Sequence, residues 1–182
     1  STTGGHVTIT AGSSTKTSSG NLVMRTQNAG SDPVGGISGV VILSSGNATN
    51  GNAGDVYLGA GSTSKSGRGG AITITAGSGD AASGADIIMS AGKTSSPGPV
   101  SNGVGGKVHL GSGEGSAGSS GHMYMYTPAS PAGTTGAITI STGNANGGDS
   151  GGVYIRSGNS LSGGKGGDIE ITVGSGVSGA GG

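Results

Sequence analysis

Cysteine, phenylalanine and tryptophan are absent from this 182-residue chain, aromatic residues make up 2% of it, and charged residues only 9%. Without cysteine there are no disulfides and no thiolate metal sites, although the redox compartment stays open because secreted chains also dispense with cysteine. Eight basic and eight acidic residues are dispersed and balance to zero, so no footprint for nucleic acid or an anionic membrane is present. No apolar run approaches the roughly 18 to 20 residues of a membrane helix. No segment carries a 3.6-residue apolar period between caps, so almost no helix is expected. The chain begins at Ser1 without methionine, which is compatible with removal of a signal peptide and leads to a secreted, extracellular expectation.

What is abundant is glycine, at 46 residues, with serine, threonine and asparagine, a composition that by itself reads as linker. Order argues otherwise. The aliphatic residues arrive as alternating pairs at regular intervals. Eleven segments can be aligned, with first inward residues Val7, Leu22, Val41, Val56, Ile72, Ile87, Val108, Met123, Ile138, Val153 and Ile169. Every odd-to-even step is 15 residues, while the even-to-odd steps are 19, 16, 21, 15 and 16. Insertions confined to alternate connections point to a coil of two strands, with one tight edge and one tolerant edge.

The expected fold is therefore all-β: a parallel β-solenoid (β-helix) with two main strands per coil of 30–36 residues, about 5.5 coils, in a single domain spanning 1–182. Odd strands would form sheet A and even strands sheet B, with their inward aliphatic residues meeting between them. All four tyrosines and all four methionines lie in even strands. A third inward row is small (Ala11, Ser45, Ala60, Ala76, Ala91, Ser112, Ser157), which lets the sheets converge at a coil edge. Glycines such as Gly12, Gly61, Gly77, Gly92, Gly113 and Gly158 follow the strands where the chain must turn. The five prolines all fall in or at the start of the tolerant connections.

Catalytic chemistry finds little support. The phosphate-loop lookalike from Gly111 to Gly118 has neither a following helix nor a Lys-Ser/Thr ending. His6, His109 and His122 lack metal-ligand spacing, and Asp55, Asp86 and Asp168 do not repeat the calcium-roll signature. No nucleophile elbow or recurring carboxylate pair is present. The expectation is a protein that is not an enzyme and needs no cofactor or metal. Asn47-Ala48-Thr49 is one N-glycosylation sequon, located in a connector.

The outward pairs of sheet A are Thr8 and Thr10, Ile42 and Ser44, Thr73 and Thr75, His109 and Gly111, Thr139 and Ser141, and Glu170 and Thr172. Residues two apart on a strand lie about 6.6 to 6.8 Å apart, and stacked strands about 4.7 to 4.9 Å apart. Hydroxyls on such a grid come close to repeats in ice, and stiff β-branched threonine holds them at little entropic cost. The candidate ice-binding residues are thus Thr8, Thr10, Ile42, Ser44, Thr73, Thr75, Thr139, Ser141 and Thr172. Ile42, His109 and Glu170 interrupt the pattern, and outward threonine is also simply a good strand residue. Sheet B is bulkier, and its Tyr57, Tyr124, Tyr126 and Tyr154 suit sugar rings or another chain. The constant connector, with Ser13, Asn47, Ser78, Glu114, Asn144 and Ser175, is a third candidate surface.

The segments Gly-Gly-Ala-Ile-Thr-Ile-Thr-Ala-Gly, Gly-Ala-Ile-Thr-Ile-Ser-Thr-Gly and Gly-Gly-Asp-Ile-Glu-Ile-Thr-Val-Gly resemble the Gly/Ser/Thr-rich ice-binding (antifreeze) proteins of cold-adapted green microalgae. That resemblance covers nearly the whole chain. It implies a secreted protein that adsorbs to an ice crystal surface, inhibits growth and recrystallisation, and uses no cofactor. With no nucleic acid or membrane partner indicated, a monomer is expected. The rival from another class is a structural or adhesive β-solenoid segment of a larger extracellular surface protein, making protein or glycan contacts.

Overall fold

The computed structural model describes residues 4–30, 35–80, 83–94 and 103–177. Two compact units divide the chain, Ser1–Ile88 and Met89–Gly182. Among the described residues there is no helix and no strand, so the all-β expectation, and with it the parallel β-solenoid or β-helix of 30–36-residue coils, is corrected: the described residues are coil punctuated by bends. No described residue is buried, and only Thr26, Ala29 and Gly115 are half-buried.

Area expresses the same correction. A folded monomer of 16.7 kDa exposes about 7,600 Å², and its fully unfolded chain about 24,000 Å². This chain exposes 18079 Å². Backbone pairing is correspondingly sparse, with six backbone–backbone hydrogen bonds among the described residues, where a folded domain makes roughly one hydrogen bond of any kind per residue. None of the six joins 7–11 to 41–45, or any other two segments that a coil would stack. The physical reason lies in the composition. Each segment offers two or three aliphatic side chains to offset the ordering of 15 or more residues, many of them glycine, the residue with most freedom to lose.

Local order nevertheless follows the repeat closely. The described bends fall at 15–17, 49–51, 64–67, 80, 116–118, 131–133, 146–148, 161–164 and 177. All lie between or beyond the aligned segments, and none interrupts one. Gly51 (φ 108°) and Gly67 (φ 127°) close two of these bends in the left-handed region that side chains avoid.

Each connector is also pinched at its base. In six of them a backbone N–H donates across the loop to a carbonyl: Gly20 to Gly12 at 2.8 Å, Gly70 to Gly61 at 2.8 Å, Ala85 to Gly77 at 3.1 Å, Gly106 to Gly92 at 2.8 Å, Gly121 to Gly113 at 2.9 Å and Gly167 to Gly158 at 3.1 Å. In two more, a threonine hydroxyl performs the closure, with Thr26 Oγ1 donating to Gly39 O at 3.2 Å and Thr127 Oγ1 to Gly136 O at 3.1 Å. The remaining two are marked by close approach alone, of Gly54 to Ser45 and of Gly151 to Thr142.

These necks explain the small row and its glycine partners. A Cβ added at Gly70 would lie 3.2 Å from the Ala60 methyl, at Gly106 3.3 Å from Ala91, and at Gly167 3.3 Å from Ser157 Cβ. Two larger side chains cannot share such a neck. Gly46, in contrast, has nothing within 4 Å of its added Cβ.

Replacing Gly70 by valine is therefore expected to open the 61–70 neck and make the amide temperature coefficient at residue 70 as negative as that of a solvent-bonded amide. Gly46→Ala should leave every neck amide unchanged. NMR of the two variants checks this, and a residue 70 amide in Gly70→Val that keeps the temperature coefficient of a hydrogen-bonded amide would count against steric closure.

Candidate functional site: the exposed alternating segments

Around Tyr57, Tyr124 and Tyr154 residues two apart approach one another, although the described residues contain no strand. The Arg156 guanidinium lies 5.1 Å from the Tyr154 ring, a cation–π distance, and the His122 and Tyr124 rings are 5.8 Å apart, tilted at 44°. An added Cβ at Gly59 would lie 2.7 Å from the Tyr57 ring, and one at Gly152 would lie 2.9 Å from that of Tyr154. Tyrosine thus reclines over a glycine two residues away. Such i, i+2 contacts are the signature of extended backbone, in which alternate side chains share a side.

Exposure carries the same period. The first inward residue of a segment is shielded more than its neighbour: Val56 is 52% exposed against 92% for Tyr57, and Ile87 52% against 83% for Ile88. Val7, beside the undescribed start of the chain, departs from this at 90%. Shielding at this level is far from a core.

All nine candidate ice-binding residues lie within the described residues, and all are exposed. Thr8 with Thr10, Ile42 with Ser44, and Thr73 with Thr75 belong to the unit Ser1–Ile88, whereas Thr139 with Ser141, and Thr172, belong to Met89–Gly182. Members of each pair share a segment and, by its alternation, one side. No hydrogen bond joins one pair to another, and none of these hydroxyls bonds to another described residue. The stacking that would set the pairs about 4.8 Å apart into a grid is absent from the described residues, so the second dimension of the expected array is corrected along with the fold.

Two threonines overlooked as functional candidates carry structural work instead. Thr26 and Thr127 follow even-numbered segments and close the only two necks that use a side-chain hydroxyl among the described residues. Their signal was available: each occupies the fourth position after the first inward residue, where other segments place the small row. Ser14 closes a smaller turn, accepting from the Thr17 N–H at 2.9 Å, and Ser160 accepts from the Gly164 N–H at 3.0 Å.

No pocket and no cluster of three metal-ligating side chains occurs among the described residues, and no helix there is long and apolar enough to cross a membrane. The chain matches no family model, no curated protein and no solved structure.

The two kinds of threonine predict different responses. Thr73→Val with Thr75→Val should leave backbone chemical shifts beyond the immediate neighbours unchanged. Thr26→Val or Thr127→Val should shift the amides around Gly39 or Gly136 and lose a bond worth about 1 kcal/mol. Equal perturbation by both kinds would contradict the division.

Proposed function

We propose that this protein adsorbs to ice through its threonine- and serine-bearing segments, inhibiting ice growth and recrystallisation outside the cell. The observation that carries the reading is the state of the Thr8/Thr10, Thr73/Thr75 and Thr139/Ser141 pairs: every hydroxyl is exposed and none is bonded to another described residue. A pair of this kind offers two anchoring hydroxyls at the roughly 6.7 Å spacing of extended backbone, and each threonine adds a methyl group beside its hydroxyl.

Contact with ice is then made segment by segment and not by a flat sheet. A single pair binds weakly, because water competes for every hydroxyl and the ordering of the segment opposes binding. Several pairs on one chain bind far more strongly than one, since each attachment raises the local concentration of the next. Multivalent adsorption suits recrystallisation inhibition, which requires only that boundaries be pinned. The reading is non-enzymatic and involves no cofactor.

A structural or adhesive role in a larger extracellular protein is the second reading. It is favoured by the exposed tyrosines, Tyr57, Tyr124, Tyr126 and Tyr154, whose faces suit sugar rings or other chains.

Ice recrystallisation in the presence of the purified chain tests the proposal, with albumin at equal mass as control. Crystals should stay small, and removing the Thr8/Thr10, Thr73/Thr75 and Thr139/Ser141 pairs in turn, by substitution to alanine, should erode the effect in steps of similar size. Coarsening equal to the albumin control would overturn ice binding. Abolition by the single Thr73→Tyr change would contradict adsorption by independent segments.

A further inference from the structure

The aliphatic rows that alternate with the threonines take no part in the hydroxyl contacts proposed above, and nothing among the described residues buries them. Ile72, Ile74, Ile138 and Ile140 are each about half exposed or more, and no backbone hydrogen bond among the described residues involves these positions. We propose that these rows form a docking surface for a second copy of this chain, which pairs its own segments against them.

Four observations select that occupant. The chain exposes 18079 Å², about 10,000 Å² more than a folded monomer of its mass, while a stable protein interface needs only about 1,200 to 2,000 Å². Surface of that extent is ample for association. The unbonded backbone donors and acceptors of a straight segment form a template for another extended segment, the mode by which strands are added between chains.

Sequence then decides which segment fits. Residues 69–77, 136–143 and 166–174 share one pattern, with aliphatic residues at alternate positions and glycine at each end. A copy of the chain presents that same alternation, length and pair of glycine boundaries. Opposing rows therefore meet aliphatic to aliphatic in a self-complementary contact, while threonines stay on the other side.

Charge permits the contact. Each unit, 1–88 and 89–182, contains four basic and four acidic residues and is neutral by itself, and the isoelectric point of about 6.8 puts the chain near zero net charge at neutral pH. Nothing repels a second copy under those conditions. Neutrality equally removes the attraction that would draw the rows to nucleic acid or an anionic membrane.

Sedimentation velocity with far-UV circular dichroism over a range of concentrations, at room temperature and without ice, tests the docking independently of any ice binding. Species heavier than 16.7 kDa should grow with concentration, with a β-type signal rising in parallel and little dependence on salt. Ile74→Lys combined with Ile140→Lys should raise the dissociation constant at least about tenfold, and Ser64→Lys with Thr134→Lys, in connectors, should not. A single 16.7 kDa species at every concentration would overturn the proposal. So would assembly that ignores the isoleucine changes, or assembly that dissolves on adding salt.

Discussion

A glycine amide reaching across a short loop to the carbonyl that ended the preceding segment is the interaction on which the rest of this structure depends. It recurs with little variation, as in Gly20 to Gly12 and Gly121 to Gly113, eight residues apart each time. The bond alone is modest, roughly 1 kcal/mol net in water. What makes it repeat is the absence of side chains at the pinch: alanine or serine on one arm meets glycine on the other, and the backbones can approach. Where a threonine replaces the small residue, as at Thr26 and Thr127, its hydroxyl supplies the closure from the side chain. Glycine in this chain therefore acts locally to set where the chain turns back, and it does so at the cost of losing more conformational freedom than any other residue.

The consequence is order confined to short range. Necks organise stretches of about ten to fifteen residues, and segments between them run without a bend, their side chains alternating. Beyond that range the described residues share no core. Aliphatic side chains that alternate along Ile72–Ile74 or Ile138–Ile140 remain about half exposed or more, because alternation sorts side chains to two sides without supplying anything for either side to pack against.

Legibility in the sequence divides along the same line. Segment positions, their alternation, the glycines at their ends and the small row Ala60, Ala91 and Ser157 are all local features, written in residues near one another, and each has a counterpart in the structure. Coil stacking is a long-range inference of another kind. The 15-residue step between odd and even segments is compatible with a solenoid, yet it follows equally from necks of fixed size, and the described residues contain the necks without the ladders. The candidate site divides likewise: Thr8/Thr10 and Thr73/Thr75 are exposed, as are the aliphatic residues that alternate with them, whereas a grid of such pairs needed the stacking and is absent from the described residues. The closures by Thr26 and Thr127 are not local in the same way, because each hydroxyl's acceptor lies 13 or nine residues further on.

Nuclear Overhauser contacts in the dilute chain test most directly the central claim, that order resides in the necks. Contacts are predicted between the Ala60 methyl and the Gly70 α-protons, and between Ala91 and Gly106, with none between residues 7–11 and 41–45. Dense backbone contacts between 7–11 and 41–45 in a monomeric sample, persisting on dilution, would contradict it.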